Sequence, residues 1–215
     1  MERGILIGDA VMPGTEFVIR QPAAWWNDGE RGTRLRGGVK ADQLVGHWTA
    51  GHPRTGPLAG PKVVHAMKAR KRPDGTALDV AIHFVISWDG LIWQTANLAI
   101  ATTHVGSRRI NSRSIGVECC WPGTIEQARK LGVEVDGVVI GEARGRRVRC
   151  LPPSPELVEA WGWLANAIVR IKHPAVAVPR QKGTMDRAGI LEHCDVAGTT
   201  KVDAAGILRS IAGVR

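Results

Sequence analysis

The spacing of hydrophobic residues changes along the chain, and the change predicts a protein of mixed α and β structure. An apolar run within 41–49 predicts a buried strand that ends at His47, and the segment 114–120 predicts a second buried strand. Gly60-Pro61 is typical of a helix start, because proline suits the first helical position.

Two Asp-Gly dipeptides, Asp89-Gly90 and Asp136-Gly137, each lie between short apolar runs. This arrangement favours a two-residue β-hairpin turn, since both turn positions need positive φ angles. The predicted hairpin strands are 82–87 with 91–95 for the first dipeptide, and 133–135 with 138–140 for the second.

The clearest predicted helix begins at Ser154-Pro155-Glu156, which combines a capping serine with a proline in the first turn. Apolar residues then recur at intervals of 4, 3, 4 and 3, the spacing of one helix face. This stripe consists of Leu157, Trp161, Leu164, Ile168 and Ile171. From Pro174 the chain is predicted to be a loop until a short helix near 204–212.

Together these elements predict a mixed α/β fold in which a central, mostly mixed β-sheet is flanked by helices. The segment 41–215 is predicted to form one domain. The segment 1–40 is rich in Gly, Arg and Trp and has weak periodicity, so it is predicted to be an irregular extension packed on that domain.

The chain is strongly basic, with 29 Lys and Arg against 20 Asp and Glu and a formal charge of +9. Such a charge favours polyanionic partners, which include nucleic acid, anionic lipid and the bacterial envelope. No apolar run approaches the roughly 20 residues that a membrane span needs, so stable membrane insertion is not expected. Residues 1–17 lack the pattern of a signal peptide, which predicts storage in a cytoplasm.

The four cysteines form no C-x-x-C pair, which argues against a cysteine-rich zinc site. Two of the seven histidines suggest a different metal site. His47 ends a predicted strand, and His193 is followed by Lys201 and Asp203. Two imidazoles and a carboxylate leave a fourth tetrahedral position for water, the arrangement of a catalytic zinc ion. Spacing alone leaves open a structural role for each residue, since separated His and Asp are common.

Four motifs, in order, make the chain similar to a known family. These are His47-Trp48-Thr49-Ala50; 82–86 with Asp89-Gly90; 103–106 with 111–118; and His193-Cys194-Asp195-Val196 with Lys201 and Asp203. The set resembles the type-2 N-acetylmuramoyl-L-alanine amidases, a family of phage endolysins, cytoplasmic recycling amidases and animal peptidoglycan recognition proteins. The resemblance runs from about residue 41 to 210, and it omits 1–40 and roughly 121–151.

The resemblance implies a zinc site and a hydrolytic mechanism. Transferred by position, the zinc ligands are His47, His193 and Asp203, and Glu118 is the acidic catalytic residue. A buried carboxylate can have a raised pKa and act as a general base. Zinc lowers the pKa of water towards roughly 7, Glu118 takes the proton, and Lys201 stabilises the developing oxyanion. A buried ion pair for Glu118 and a solvated surface position for Lys201 are the alternatives.

The resemblance also suggests a substrate groove. His104 is expected to line it and to hydrogen-bond the glycan or peptide, with a purely structural role as the alternative. Asn111 and Arg113 are expected to hold the muramyl group or a stem carboxylate. His83 is expected to be a packed core residue.

The sequence departs from the family pattern in two places. Many relatives carry a tyrosine just before the position of His83, whereas this chain has Ile82 and no tyrosine at all, which places more weight on Glu118. Relatives usually have Pro-Gly soon after the last ligand, whereas Asp203 is followed by Ala204-Ala205-Gly206. Cys194 is next to His193 and poorly placed to share its metal, so Asp203 is retained as third ligand.

The function implied is hydrolysis of the lactyl–L-alanine amide of peptidoglycan by a monomeric phage endolysin, held in the host cytoplasm before release. Anionic envelope polymers are further expected partners, and nucleic acid is not. The alternatives are a recycling amidase for anhydro-muropeptides, a non-catalytic peptidoglycan-binding module, and a nucleic-acid-binding protein. The basic segment 144–149 permits the last of these, but no stacking motif accompanies it. It is expected to be a solvated hairpin or an envelope-binding patch.

Overall fold

A seven-stranded mixed β-sheet organises the protein. The computed structural model describes residues 1–21, 25–143, 145–183, 187–196 and 207–208. Its strands are β1 (Glu2–Arg3), β2 (Ile5–Ile7), β3 (Ala10–Met12), β4 (Val18–Arg20), β5 (Thr33–Leu35), β6 (Gln43–Trp48), β7 (Phe84–Ile86), β8 (Ile92–Gln94), β9 (Ile100–Thr102), β10 (Ser114–Cys119), β11 (Val139–Ala143), β12 (Arg146–Cys150) and β13 (Gly189–Glu192). Its helices are α1 (Ala59–Lys68), α2 (Arg108–Arg113), α3 (Ile125–Lys130), α4 (Pro155–Arg170) and α5 (His193–Val196).

The order of strands in the central sheet is β1-β4-β8-β7-β10-β6-β13. Strands β10, β6 and β13 run parallel, whereas β7 and β8 pair as an antiparallel hairpin. Shorter two-stranded sheets join β2 to β3, β5 to β9 and β11 to β12. This architecture confirms the predicted mixed α/β class with a central mixed sheet.

Helix α4 covers one face of the sheet. Ser154 caps it by accepting the backbone N–H of Leu157 at 3.2 Å, and Pro155 lies in its first turn, as predicted. Its buried stripe packs against the strand residues that point to the same side, among them Leu44 and Val117. Burial of this stripe stabilises the helix, because short helices are marginal without tertiary contacts.

The opposite face of the sheet carries the candidate chemistry and has a different cover. Val45 of β6 and Leu191 of β13 pack against Val105, which precedes α2, and Ile110, which lies within α2. Val85 of β7 packs in a second cluster with residues of α1. Because side chains alternate along a strand, His47 and Val45 project to this same face.

Some predicted elements are confirmed and others are wrong. The hairpin around Asp89-Gly90 exists as β7 and β8, and the strands predicted around 41–49 and 114–120 exist as β6 and β10. The hairpin predicted around Asp136-Gly137 is wrong, since β11 and β12 pair instead across residues 144–145. The tail predicted as loop after Pro174 contains strand β13, whose four residues are too few to show a periodic pattern.

The first 40 residues are not irregular. They contain β1 to β5, and two of these strands, β1 and β4, extend the central sheet through the pairing of β4 with β8. The strands are only two or three residues long, which is too short for alternation of apolar and polar residues to show in the sequence. The domain boundary at residue 41 stays a prediction. Among the described residues, no helix has the length and apolarity to cross a membrane.

Candidate functional site

Three parallel strands bring the candidate residues to one edge of the sheet. His47 is the penultimate residue of β6, Glu118 is the penultimate residue of β10, and His193 follows β13 directly. The carboxyl ends of parallel strands meet at the same edge, a common location of binding sites in open α/β sheets. Glu118 and His193, which lie 71 and 146 positions after His47 in the chain, thereby become its neighbours.

The two histidines predicted as metal ligands are in contact. Nδ1 of His47 and Nδ1 of His193 lie 3.1 Å apart, and both side chains are buried. Two nitrogen ligands of a tetrahedral zinc ion, each about 2.0–2.1 Å from the metal, lie about 3.3–3.4 Å apart. The pair therefore fits the donor geometry of one shared zinc ion. The third predicted ligand, Asp203, and the predicted oxyanion-stabilising residue, Lys201, lie outside the described residues.

Glu118 lies beside this pair in the sheet. Its Cα is the register partner of the His47 Cα on the adjacent parallel strand, so both side chains project to the same face. The Glu118 side chain is only 7% exposed. A buried carboxylate next to the imidazole pair is placed as a general base would be, and its catalytic role stays a prediction.

A second group of metal-type ligands, Glu192, Cys194 and Asp195, flanks His193, with ligand atoms within 4.8 Å of one another. The Asp195 carboxylate accepts the backbone N–H of Glu192 at 3.0 Å, a hydrogen bond at the junction of β13 and α5. Glu192 is the register partner of Gly46 and so projects to the face opposite His47. This group is therefore distinct from the histidine pair.

His104, predicted to bind substrate, contacts His47 of the histidine pair. Its Nδ1 lies 3.0 Å from Nε2 of His47, and its Nε2 lies 2.9 Å from the Ser114 hydroxyl oxygen. Desolvation, followed by electrostatic interactions with His83, His193 and Arg36, lowers the pKa of His104 well below 6.5. His104 is thus a neutral imidazole near pH 7, and substrate binding by it stays a prediction.

The other two predicted substrate residues are engaged within the protein. The Asn111 side chain accepts the backbone N–H groups of His104 and Val105 at 3.1 and 3.0 Å and donates to the Val105 carbonyl at 2.9 Å. Arg113 forms a bidentate ion pair with Asp42. These contacts shape the loop and the start of β10, and substrate binding by either residue stays a prediction.

Ile82 occupies the position where many relatives carry tyrosine. It is fully buried and packs with Val64, Val85 and Ala81. An aliphatic side chain there offers no proton or hydrogen bond to a substrate. Ile82 therefore supplies no catalytic group. Within the described residues, the acidic group that the sheet places beside the histidine pair is Glu118.

Two residues that shape this site received no role from the sequence, namely Ser114 and Arg36. Ser114 lies within the quoted 111–118 motif, but a serine at the start of a strand has many ordinary explanations. Arg36 lies outside the resemblance, in the N-terminal segment. Its guanidinium is buried and donates to three backbone carbonyl groups, those of Leu98, Ser112 and Ser114, at 2.7–2.8 Å.

His83 is a packed core residue, as predicted. Its Nδ1 accepts the backbone N–H of Gly116 at 3.0 Å, and its Nε2 lies 2.9 Å from the Ile100 carbonyl oxygen. Burial, and then the nearby Arg36 charge, lower the pKa of His83 well below 6.5. The His83 ring therefore stays neutral in the folded protein at a pH where the unfolded chain binds a proton.

This difference predicts a pH-dependent stability. The contribution of His83 is complete above about pH 6.5 and is lost as the pH falls towards its folded pKa, at up to about 1.4 kcal/mol per pH unit. Urea unfolding of the wild type and of His83→Gln between pH 7 and pH 5 measures it. The free energy of unfolding of His83→Gln should fall less steeply with decreasing pH than that of the wild type. The difference corresponds to the binding of up to one proton. His65→Gln, at an exposed position of α1, is the control and should keep the wild-type slope.

Comparisons with known proteins identify the family and the fold. The family model described as N-acetylmuramoyl-L-alanine amidase (Amidase_2) matches residues 37–205. A search of curated protein sequences gave no significant match.

The fold is similar to several solved structures. The N-acetylmuramoyl-L-alanine amidase LysC from Clostridium intestinale URNW has a TM-score of 0.50 and 13% identity, covering 92% of this chain and 98% of LysC. A selenomethionine derivative of AmpD has a TM-score of 0.52 and 18% identity, with coverages of 89% and 95%. The Drosophila peptidoglycan recognition protein SA has a TM-score of 0.55 and 14% identity, with coverages of 90% and 88%.

At these identities the solved structures establish the fold alone. The family model adds the sequence evidence, because it covers most of the chain and includes the three strands that end at the histidine pair and Glu118. The chain therefore belongs to the N-acetylmuramoyl-L-alanine amidase family.

Proposed function

We propose that this protein is a zinc-dependent amidase that hydrolyses the bond between the lactyl group of N-acetylmuramic acid and the L-alanine of the stem peptide. The observation that carries the proposal is the contact between His47 and His193, 3.1 Å apart at Nδ1, beside the buried Glu118. Family membership supports the same reaction. A binding module without catalysis is the alternative, and it would not need a buried carboxylate placed as a general base beside the imidazole pair.

The proposed mechanism divides the chemistry among a few side chains. His47 and His193 would hold zinc together with Asp203, and bound zinc would supply Lewis acidity towards the amide carbonyl and an attacking water. Glu118 takes a proton from that water and returns it to the departing L-alanine amine. The Lys201 ammonium group stabilises the negative charge that develops on the carbonyl oxygen.

We further propose that the protein acts on polymeric peptidoglycan, as a phage endolysin does. The formal charge of +9 supports this, because a basic protein is attracted to an anionic envelope. Part of that charge lies on β12, where Arg146, Arg147 and Arg149 are exposed. Arg144 of the same basic segment lies outside the described residues. A recycling amidase would gain little from such a surface, since its substrate is small and soluble.

The decisive experiment combines metal removal with product analysis. Purified protein is incubated with insoluble peptidoglycan and, separately, with soluble anhydro-muropeptides, and new chain ends are identified by mass spectrometry. We expect free L-alanine amino termini from the polymer, their loss on treatment with a chelator, and their return when zinc is added back. Magnesium added at the same concentration is the metal control, because it prefers oxygen ligands to imidazole.

Each alternative has its own result in this assay. Cleavage confined to anhydro-muropeptides would make the protein a recycling amidase. Intact peptidoglycan that sediments with the protein, with no new termini under any metal condition, would make it a binding module. New reducing ends in place of L-alanine termini would contradict the proposed bond specificity.

A further inference from the structure

A chain of hydrogen bonds runs from α2 to His47, and its direction is set at Ser114. The Ser114 hydroxyl oxygen lies 2.7 Å from the carbonyl oxygen of Ile110. Because a carbonyl oxygen can only accept, two oxygen atoms at this distance require the single hydroxyl proton between them. Ser114 therefore has only lone pairs to offer to any other partner.

That other partner is His104, whose Nε2 lies 2.9 Å from the Ser114 hydroxyl oxygen. Since Ser114 accepts here, His104 carries its proton on Nε2. The Nδ1 atom of a neutral imidazole in this tautomer is an acceptor. It lies 3.0 Å from Nε2 of His47, so His47 donates from Nε2 and carries a lone pair on Nδ1.

We propose that Ser114 and His104 are positioning residues that hold His47 in the tautomer whose Nδ1 binds zinc. This inference rests on the zinc site proposed above. The lone pair of His47 is directed at Nδ1 of His193, which lies 3.1 Å away. A histidine that binds a metal through one nitrogen commonly donates its other N–H to a fixed acceptor, which sets its tautomer and ring orientation.

The surroundings of His104 hold its ring in place for this role. Asn111 fixes the backbone at His104 by accepting its N–H at 3.1 Å. The ring lies directly over Gly116, where an added Cβ would come within 2.6 Å of the His104 Cγ atom. Both ring nitrogens are engaged, so a substrate could bind either one only if this chain of hydrogen bonds were broken.

Zinc affinity tests the proposal without relying on activity. Dissociation constants for zinc are measured by competition with a fluorescent chelator, using the full chain and its variants. We expect His104→Leu to bind zinc 10–100-fold more weakly and Ser114→Ala about 10-fold more weakly. His104→Asn should recover much of the loss, because its Oδ1 can accept from His47 in place of Nδ1.

Ser112→Ala is the matched control. Ser112 also donates its hydroxyl proton to a carbonyl within α2, that of Arg109 at 2.8 Å, but this hydrogen bond is exposed. The Ser112→Ala substitution should leave zinc affinity unchanged. Unfolding temperatures of the metal-free variants establish that each is folded during the titration, and Ser114→Ala carries the test if His104→Leu does not fold.

The outcomes separate this proposal from the proposed function. If the wild type binds zinc and Ser114→Ala and His104→Leu bind it equally tightly, the positioning role is wrong and the amidase proposal is unaffected. The positioning role is also wrong if Ser112→Ala weakens zinc binding as much as Ser114→Ala does. If the wild type binds no zinc, the metal site and the positioning role are both wrong.

Discussion

Replacing Glu118 with glutamine is expected to lower the rate of amide hydrolysis by roughly 10²–10⁴-fold, the usual contribution of a general base. Glutamine has nearly the same shape, but it cannot take a proton from water. The Glu118 backbone pairs in register with β6 and β7 on its two sides, so the substitution should leave the sheet intact. Release of L-alanine termini, measured by mass spectrometry under zinc-saturated conditions, gives the rate.

The zinc affinity of Glu118→Gln should remain within a few-fold of the wild type, because its proposed role is in proton transfer. Glu142→Gln is the matched control, since that carboxylate is exposed on β11 and is the register partner of Arg147. It should keep full activity. A Glu118→Gln variant with more than a tenth of wild-type activity would remove Glu118 from the proposed mechanism.

Replacing Arg36 with methionine is expected to lower the free energy of unfolding by about 3–5 kcal/mol. The Arg36 side chain is 6% exposed, and its donors satisfy three backbone carbonyl groups. Burial lowers its pKa to about 10, so it remains charged near pH 7. Methionine fills similar space but has no hydrogen-bond donors. Each buried acceptor left without a partner costs about 1–3 kcal/mol. Part of this cost is offset, because the variant no longer buries a charge.

Urea unfolding at pH 7 measures this effect. The control is Arg34→Met, two residues earlier, where a half-buried arginine donates to one carbonyl, that of Arg108 at 3.0 Å. It should cost less than about 1 kcal/mol. Because Arg36 holds the carbonyls of Ser112 and Ser114, its loss should also weaken zinc binding through the Ser114 chain. An Arg36→Met variant as stable as Arg34→Met would contradict the stabilising role.

The sequence determined the elements whose signals are local. Helix α4 is encoded by a capping serine, a proline in the first turn and an apolar stripe, all within 17 residues of one another. The β7–β8 hairpin is encoded by Asp89-Gly90 and its apolar flanks. The ordered motifs from His47 to His193 likewise predicted the family, since a motif depends on residue identity and spacing alone.

Tertiary structure decided everything that depends on residues far apart in the chain. The short strands β4 and β13 have no periodicity of their own, and they exist because β8 and β6 offer backbone partners. The predicted hairpin at Asp136-Gly137 failed for the converse reason, since turn chemistry is not sufficient where the flanking residues do not pair.

The same division applies to the candidate site. His47, Glu118 and His193 could be selected from sequence because the residue types reveal their chemistry. The orientation of His47 depends on Ser114, His104 and the Ile110 carbonyl, and a serine hydroxyl near a backbone carbonyl leaves no mark in a sequence. Residue identity therefore determined which groups can bind and react. Only the packing of α2 against β6 and β10 decided which nitrogen of each histidine faces the site, because hydrogen-bond direction is a property of three-dimensional neighbours.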